Sequence, residues 1–123
     1  MSGRDPAELA VDIVIDNYNY AEFLPAAIES ALAQTHERVR VIVVDDGSKD
    51  DSVEVARRYA DRVTVVAKEN GGHASAFNAG FERCEGDVVI LLDADDLLRP
   101  EAAAEAAAAF AADERLAKTQ SRM

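Results

Sequence analysis

Four short apolar runs, at residues 11–15, 41–44, 63–66 and 88–92, are rich in Val, Ile and Leu. They are separated by segments with a helical period, and this alternation is the strongest constraint on the fold. Short, β-branched runs without polar alternation suit strands covered on both faces of a parallel sheet rather than pieces of buried helix. Alternating strands and helices then predict an α/β domain of about four mainly parallel strands flanked by helices. Three of the four runs end directly in aspartate, at Asp16, Asp45 and Asp93.

The helical segments carry their own signals. Leu24, Ala27, Ile28, Ala31 and Leu32 share one helical face, with Pro25 falling in the first turn. Ser48, with Asp51 three residues on, predicts an N-cap and a helix over 50–59. A third helix is expected over 73–83, with Gly86 placed to terminate it. The fourth runs over 100–116, with Pro100 at its first position and an alanine-rich stretch at 102–112. A single domain over 1–123 is expected, ordered over about 11–116, with loose ends at 1–9 and 118–123.

Composition narrows the function classes. A chain that is 49% hydrophobic and 30% charged is an ordinary globular balance. The formal charge of −11 repels a nucleic-acid polyanion, so no nucleic-acid partner is expected, whereas a small phosphorylated ligand accompanied by a cation is compatible with it. Cys84 is the only cysteine, which excludes a disulfide framework and a thiolate zinc cluster and reads as a small buried residue. No run approaches the roughly 20 residues of a membrane span, and the N-terminus lacks a signal-peptide pattern. A soluble, cytoplasmic protein is expected.

Ligands of open parallel sheets bind beyond the carboxyl ends of the strands. That rim collects Asp16-Asn17-Tyr18-Asn19, Asp45-Asp46-Gly47-Ser48, Asn70-Gly71-Gly72-His73 and Asp93-Ala94-Asp95-Asp96. So many carboxylates repel one another and call for a counter-ion or hydrogen-bond donors. Asp93 and Asp95, flanking a small residue, can present oxygens to one hard cation, Mg²⁺ or Mn²⁺, which then neutralises a diphosphate leaving group. Taken alone, the tripeptide is better described as a solvated acidic turn. Gly71 and Gly72 permit close backbone approach or positive φ, either around phosphate at a helix N-terminus or in a plain strand-to-helix turn. His73 reads as a phosphate neighbour or as an exposed residue at a helix start, and His36 as a helix-end residue without chemistry.

Context favours the chemical reading. Ile13-Val14-Ile15-Asp16-Asn17-Tyr18-Asn19, Ala31-Leu32-Ala33-Gln34-Thr35 and Val43-Val44-Asp45-Asp46-Gly47-Ser48-Lys49-Asp50 follow one another in the order of the family 2 glycosyltransferases. So do Asn70-Gly71-Gly72-His73-Ala74-Ser75-Ala76-Phe77-Asn78-Ala79-Gly80, Gly86-Asp87 and Leu91-Leu92-Asp93-Ala94-Asp95-Asp96. The chain resembles that family over about residues 11–100, which implies a GT-A fold and a nucleotide-diphospho-sugar donor, usually a UDP-sugar. The resemblance implies that Tyr18 stacks on the base, where its alternative is packing at a strand end. It implies that Asp46 accepts a hydrogen bond from the base, with Asn17, Gly71 and Gly72 beside the nucleotide and Asp45 holding the loop. Asp93 would contact the ribose and the metal-diphosphate. Asp95 would bind Mn²⁺ or Mg²⁺ directly, with Asp93 and Asp96 as further ligands.

Two departures qualify the carry-over. Asp16 stands where the family often has proline, which adds a carboxylate beside the expected base pocket. No acidic residue downstream of Asp95 follows the family's pattern, since Asp113 and Glu114 lie on or after the alanine-rich helix. No catalytic base is named from this chain, which reads as the N-terminal, donor-binding portion of a truncated GT-A domain, with an unidentified hydroxyl acceptor and little transfer by itself. The alternative is a non-catalytic nucleotide-sugar-binding or interaction module. A phosphoacceptor receiver domain needs its acidic pair after the first strand and a lysine after a fifth, and neither is evident. A dinucleotide dehydrogenase needs Gly-x-Gly-x-x-Gly after a strand, which is absent. If the sheet is cut short, apolar surface near the fourth strand or last helix would favour a homodimer.

Overall fold

The computed structural model describes residues 5–112 and 120–121. The four expected strands are β1 (Val11–Asn17), β2 (Val39–Asp46), β3 (Thr64–Lys68) and β4 (Val88–Asp93). The helices between and after them are α1 (Leu24–Leu32), α2 (Ser52–Arg57), α3 (His73–Phe81) and α4 (Ala102–Ala112). A two-residue strand, β5 (Gln120–Ser121), lies beside β4 within the tail that was expected to be loose. The sheet order is β3-β2-β1-β4-β5, and every pairing is parallel. All carboxyl ends therefore fall on one edge.

Strand periodicity sorts the side chains onto two faces. Val11, Ile13, Ile15, Val41, Val43, Ile90 and Leu92 pack with α1, α2 and α4 in the larger core. Val14, Ile42, Val44, Val89 and Leu91 pack with Ala76 of α3 in the smaller one. Burial on both faces holds for β1 and for Val41–Asp46 of β2, as their near-continuous apolar runs predict. It does not hold for β3, an edge strand in which no residue is fully buried, nor for β4, whose Val89 and Leu91 are only half-buried. Among the described residues one helix, α3, covers that second face, and it sits close: a methyl group on Gly80 would meet the Val14 and Val44 side chains at 2.4 and 2.9 Å.

Several local expectations are corrected. Leu9 is buried in the larger core and Pro6–Glu8 forms a 3-10 turn, so order begins before residue 11. Ser48 does not cap α2; instead Asp50 accepts the amide of Ser52, the first residue of that helix, at 3.0 Å and its hydroxyl at 2.5 Å. The third helix ends at Phe81, and Gly86 donates its amide to Asp12 at 2.7 Å rather than terminating it. Pro100 precedes α4 and accepts the Thr35 amide at 2.9 Å, while Gln34 accepts the Ala103 amide at 2.8 Å and so serves the helix start. The expected continuation of α4 over 113–116 lies outside the described residues, as do Asp113 and Glu114. His36 is buried beyond the end of α1 and donates from Nε2 to the Leu9 carbonyl at 2.7 Å.

Asp12 interrupts the first apolar run and is almost fully buried at the edge opposite the strand carboxyl ends. It receives Arg40 Nε at 3.1 Å and the amides of Glu85 and Gly86, so its charge is compensated locally. Cys84 is half-buried near it, and burial together with the Asp12 charge pushes the thiol up to about 12. No helix among the described residues is long and apolar enough to cross a membrane.

Candidate functional site

The two-residue period of the strands decides which of the rim residues face a ligand. Asp16 pairs in register with Asp93, and Asp46 with Lys68, all four on the α3 side of the sheet. Asn17 pairs with Asp45, and both point to the opposite side, over α1 and α2. There Asn17 is wholly buried and donates its amide to Asp45 at 2.9 Å and to Ser48 Oγ at 3.3 Å. Asp45 also accepts the Ser48 amide and hydroxyl, at 2.9 and 2.6 Å. Asn17, read from the resemblance as a nucleotide neighbour, is thus directed into the protein, where it braces the β2 turn together with Asp45.

Asp46 faces the other way and gathers the loop that follows β3. Its Oδ1 accepts Lys68 Nζ at 2.9 Å and the Gly71 amide at 3.0 Å; its Oδ2 accepts the Gly72 amide at 3.0 Å and Asn70 Nδ2 at 3.3 Å. Asn70 also donates to the Asp46 carbonyl at 3.0 Å. Burial alone would raise this carboxyl, but Lys68 and the two glycine amides outweigh it and hold the group below the ordinary carboxylate range. Gly72 takes φ 96°, the positive φ expected of this loop, and leads into α3.

The turn beneath depends on Gly47 at φ 79°, where an added methyl group would stand 2.5 Å from the Asn70 nitrogen. Strain and clash act together there, so Gly47→Ala is expected to cost about 2 kcal/mol of stability. Urea unfolding checks this, and a loss within about 0.5 kcal/mol, the range of an ordinary surface change, would show that the turn relaxes freely.

Between these strand ends lies a cleft of about 410 Å³, lined by Asp16, Tyr18, Tyr20, Asp46, Asn70, Gly72, His73, Asp93 and Asp95. Tyr18 and Tyr20 are 39% and 41% exposed, enough to offer ring faces to a ligand, and Tyr20 is held edge-on by Phe23 at 5.9 Å. Tyr20 had no motif to mark it in the sequence; the turn at Asn19, φ 61°, brings it to the cleft. Gly71 does not line the cleft and contributes its amide to Asp46. Asp96 lines a smaller adjoining cavity of about 50 Å³ between α3 and the sheet.

Asp93, Asp95 and Asp96 can each offer a carboxylate oxygen, with these oxygens within 4.8 Å of one another, and all three are exposed. Hard oxygen donors open to water are the set that Mg²⁺ and Mn²⁺ accept, so the donor chemistry fits a divalent cation. Ala94 between them is buried and donates its amide to the Asp16 carbonyl at 3.0 Å, which fixes the acidic turn to β1. Asp16 receives His73 Nδ1 on Oδ2 at 2.5 Å. Burial, reinforced by the charges of Asp93 and Asp46, still raises the Asp16 carboxyl to about 6 against the opposing influence of His73.

The glycosyl transferase family 2 model matches residues 12–122. An uncharacterized glycosyltransferase of Nostoc sp. is 43% identical over 96 residues, covering 75% of this chain and 30% of that protein. The chain thus spans under a third of the length of that curated relative. Among solved structures, S. aureus TarS 1–349 superimposes with a TM-score of 0.75 at 25% identity, over 83% of this chain and 32% of that one. The mannosyltransferase PcManGT from Pyrobaculum calidifontis, in complex with GDP-Man and Mn²⁺, gives 0.70 at 25% identity, over 84% and 33%. Both neighbours are GT-A glycosyltransferases. With its parallel sheet, acidic rim and matched family model, this chain belongs to glycosyl transferase family 2 and carries part of the GT-A fold.

Proposed function

We propose that this chain forms the donor-binding part of a glycosyltransferase and holds a nucleotide-diphospho-sugar, a UDP-sugar by preference, for transfer to an acceptor hydroxyl. One observation carries the reading: a tyrosine ring face, a polar loop and the carboxylates of Asp93 and Asp95 converge on one cleft at the strand carboxyl ends. Tyr18 stacks on the base. Asp46 sets the Asn70–Gly72 loop against it, and a base N–H reaches Asp46 by replacing Asn70, whose 3.3 Å contact is the longest of the four. Asp95, with Asp93 and Asp96, holds Mn²⁺ or Mg²⁺. When bound, the cation neutralises the diphosphate and stabilises it as a leaving group. The acceptor hydroxyl, giving its proton to a base, forms the new bond at the anomeric carbon with inversion as the bond to the nucleoside diphosphate breaks.

The test is calorimetric titration of UDP with Mn²⁺ and again with EDTA, on the unaltered chain and on Asp95→Asn. UDP binding that requires the metal and weakens about tenfold or more in the variant supports the reading. Equal binding with and without metal, or in both proteins, removes Asp95 from the metal site. No UDP binding in any condition rejects donor binding by this chain.

A further inference from the structure

A diphosphate entering this cleft meets mostly carboxylates. Asp16, Asp46, Asp93 and Asp95 all line it, and Lys68 is already committed to Asp46 and to the Glu69 carbonyl. Among the described residues that line the cleft, His73 is the one whose side chain can carry positive charge. It is the first residue of α3, where the end of the helix favours an anion. Its Nδ1 is tied to Asp16 Oδ2 at 2.5 Å, which fixes the ring and places a proton on that nitrogen. Its side chain is 67% exposed, so the second nitrogen is reachable from the cleft.

We propose that His73, oriented by Asp16, is a diphosphate-binding residue whose ring donates a hydrogen bond to a phosphate oxygen of the nucleotide-sugar. The inference rests on the reading of the cleft as a nucleotide-sugar site and adds a protein hydrogen-bond donor to the metal. Asp16 is a positioning residue: it touches the imidazole and not the phosphate. This gives the Asp16 side chain a function in the cleft.

The experiment compares UDP, uridine and Mn²⁺ alone, each by NMR titration or calorimetry, on the unaltered chain, His73→Ala and His73→Arg, with thermal unfolding to confirm that each is folded. His73→Ala is expected to weaken UDP about tenfold, as for loss of one charge-assisted hydrogen bond. Uridine and Mn²⁺ affinities should be unchanged, and His73→Arg should recover part of the loss. Asp16→Ala should weaken UDP by a smaller factor, and that effect should vanish when His73 is already alanine. UDP bound equally well by His73→Ala overturns the proposal and leaves the donor-site reading intact. An equal loss on uridine, or a loss on Mn²⁺ alone, overturns it too, making His73 a base neighbour or a metal ligand. Absence of UDP binding by the unaltered chain overturns both.

Discussion

Asp46→Ala is expected to lower the stability of the chain by about 3 kcal/mol at pH 7, the largest loss of any rim substitution. The carboxylate is buried and accepts from Lys68, Asn70, Gly71 and Gly72, so its removal strands an ammonium and two backbone amides at once. Exposed Asp95 accepts no such set, and its substitution should leave stability within about 0.5 kcal/mol. Because the Asp46 carboxyl is held below its ordinary range, its contribution is present above the unfolded pKa and is lost as pH falls through the lower folded value. The gap between Asp46→Ala and the unaltered chain should therefore narrow in acid. Urea unfolding from pH 2.5 to 8 measures it, and a gap that widens in acid, or stays under about 1 kcal/mol at pH 7, would show that the loop holds itself.

Asp16→Asn is expected to do the reverse and stabilise the metal-free chain at pH 7.5, by about 1–2 kcal/mol. Burial, followed by the Asp93 and Asp46 charges, raises the Asp16 carboxyl to about 6. A raised folded pKa gives a contribution that is complete below the unfolded value of 3.8 and is lost as pH rises through about 6. In EDTA, then, the unaltered chain should lose stability between about pH 4 and pH 7 relative to Asp16→Asn. The two should converge below about pH 4, where the carboxyl is protonated in both states. Added Mn²⁺ should recover part of the loss by offsetting the neighbouring carboxylates. Parallel stability profiles for the two proteins in EDTA would refute this. The pair of predictions has one origin: both aspartates face α3, but Asp46 has four donors and Asp16 has one imidazole.

The four main strands and four helices were legible in the sequence because they rest on local rules: β-branched runs, a 3.6-residue period, and polar strand ends. The rim of Tyr18, Asp46, Gly72, Asp93 and Asp95 was legible because a parallel sheet puts every strand carboxyl end on one edge. Features whose partners are distant in the chain were not legible. Ser48 looked like a cap because it precedes Asp51, yet it serves Asp45, Asn17 and the Asn19 amide. Gly86 looked like a helix stop, yet its amide is donated to buried Asp12, whose charge nothing in the local sequence compensates.

By itself, then, the sequence determined the parallel α/β plan, the acidic rim and the membership of family 2, each of which depends on residue type and short spacing. Only the tertiary structure decided which carboxylates are available to a ligand. Asp45 and Asp46 are adjacent and chemically identical, yet one is directed under the turn and the other toward α3. The strand pleat sends successive side chains to opposite faces, and which face holds the cleft depends on where α3 packs.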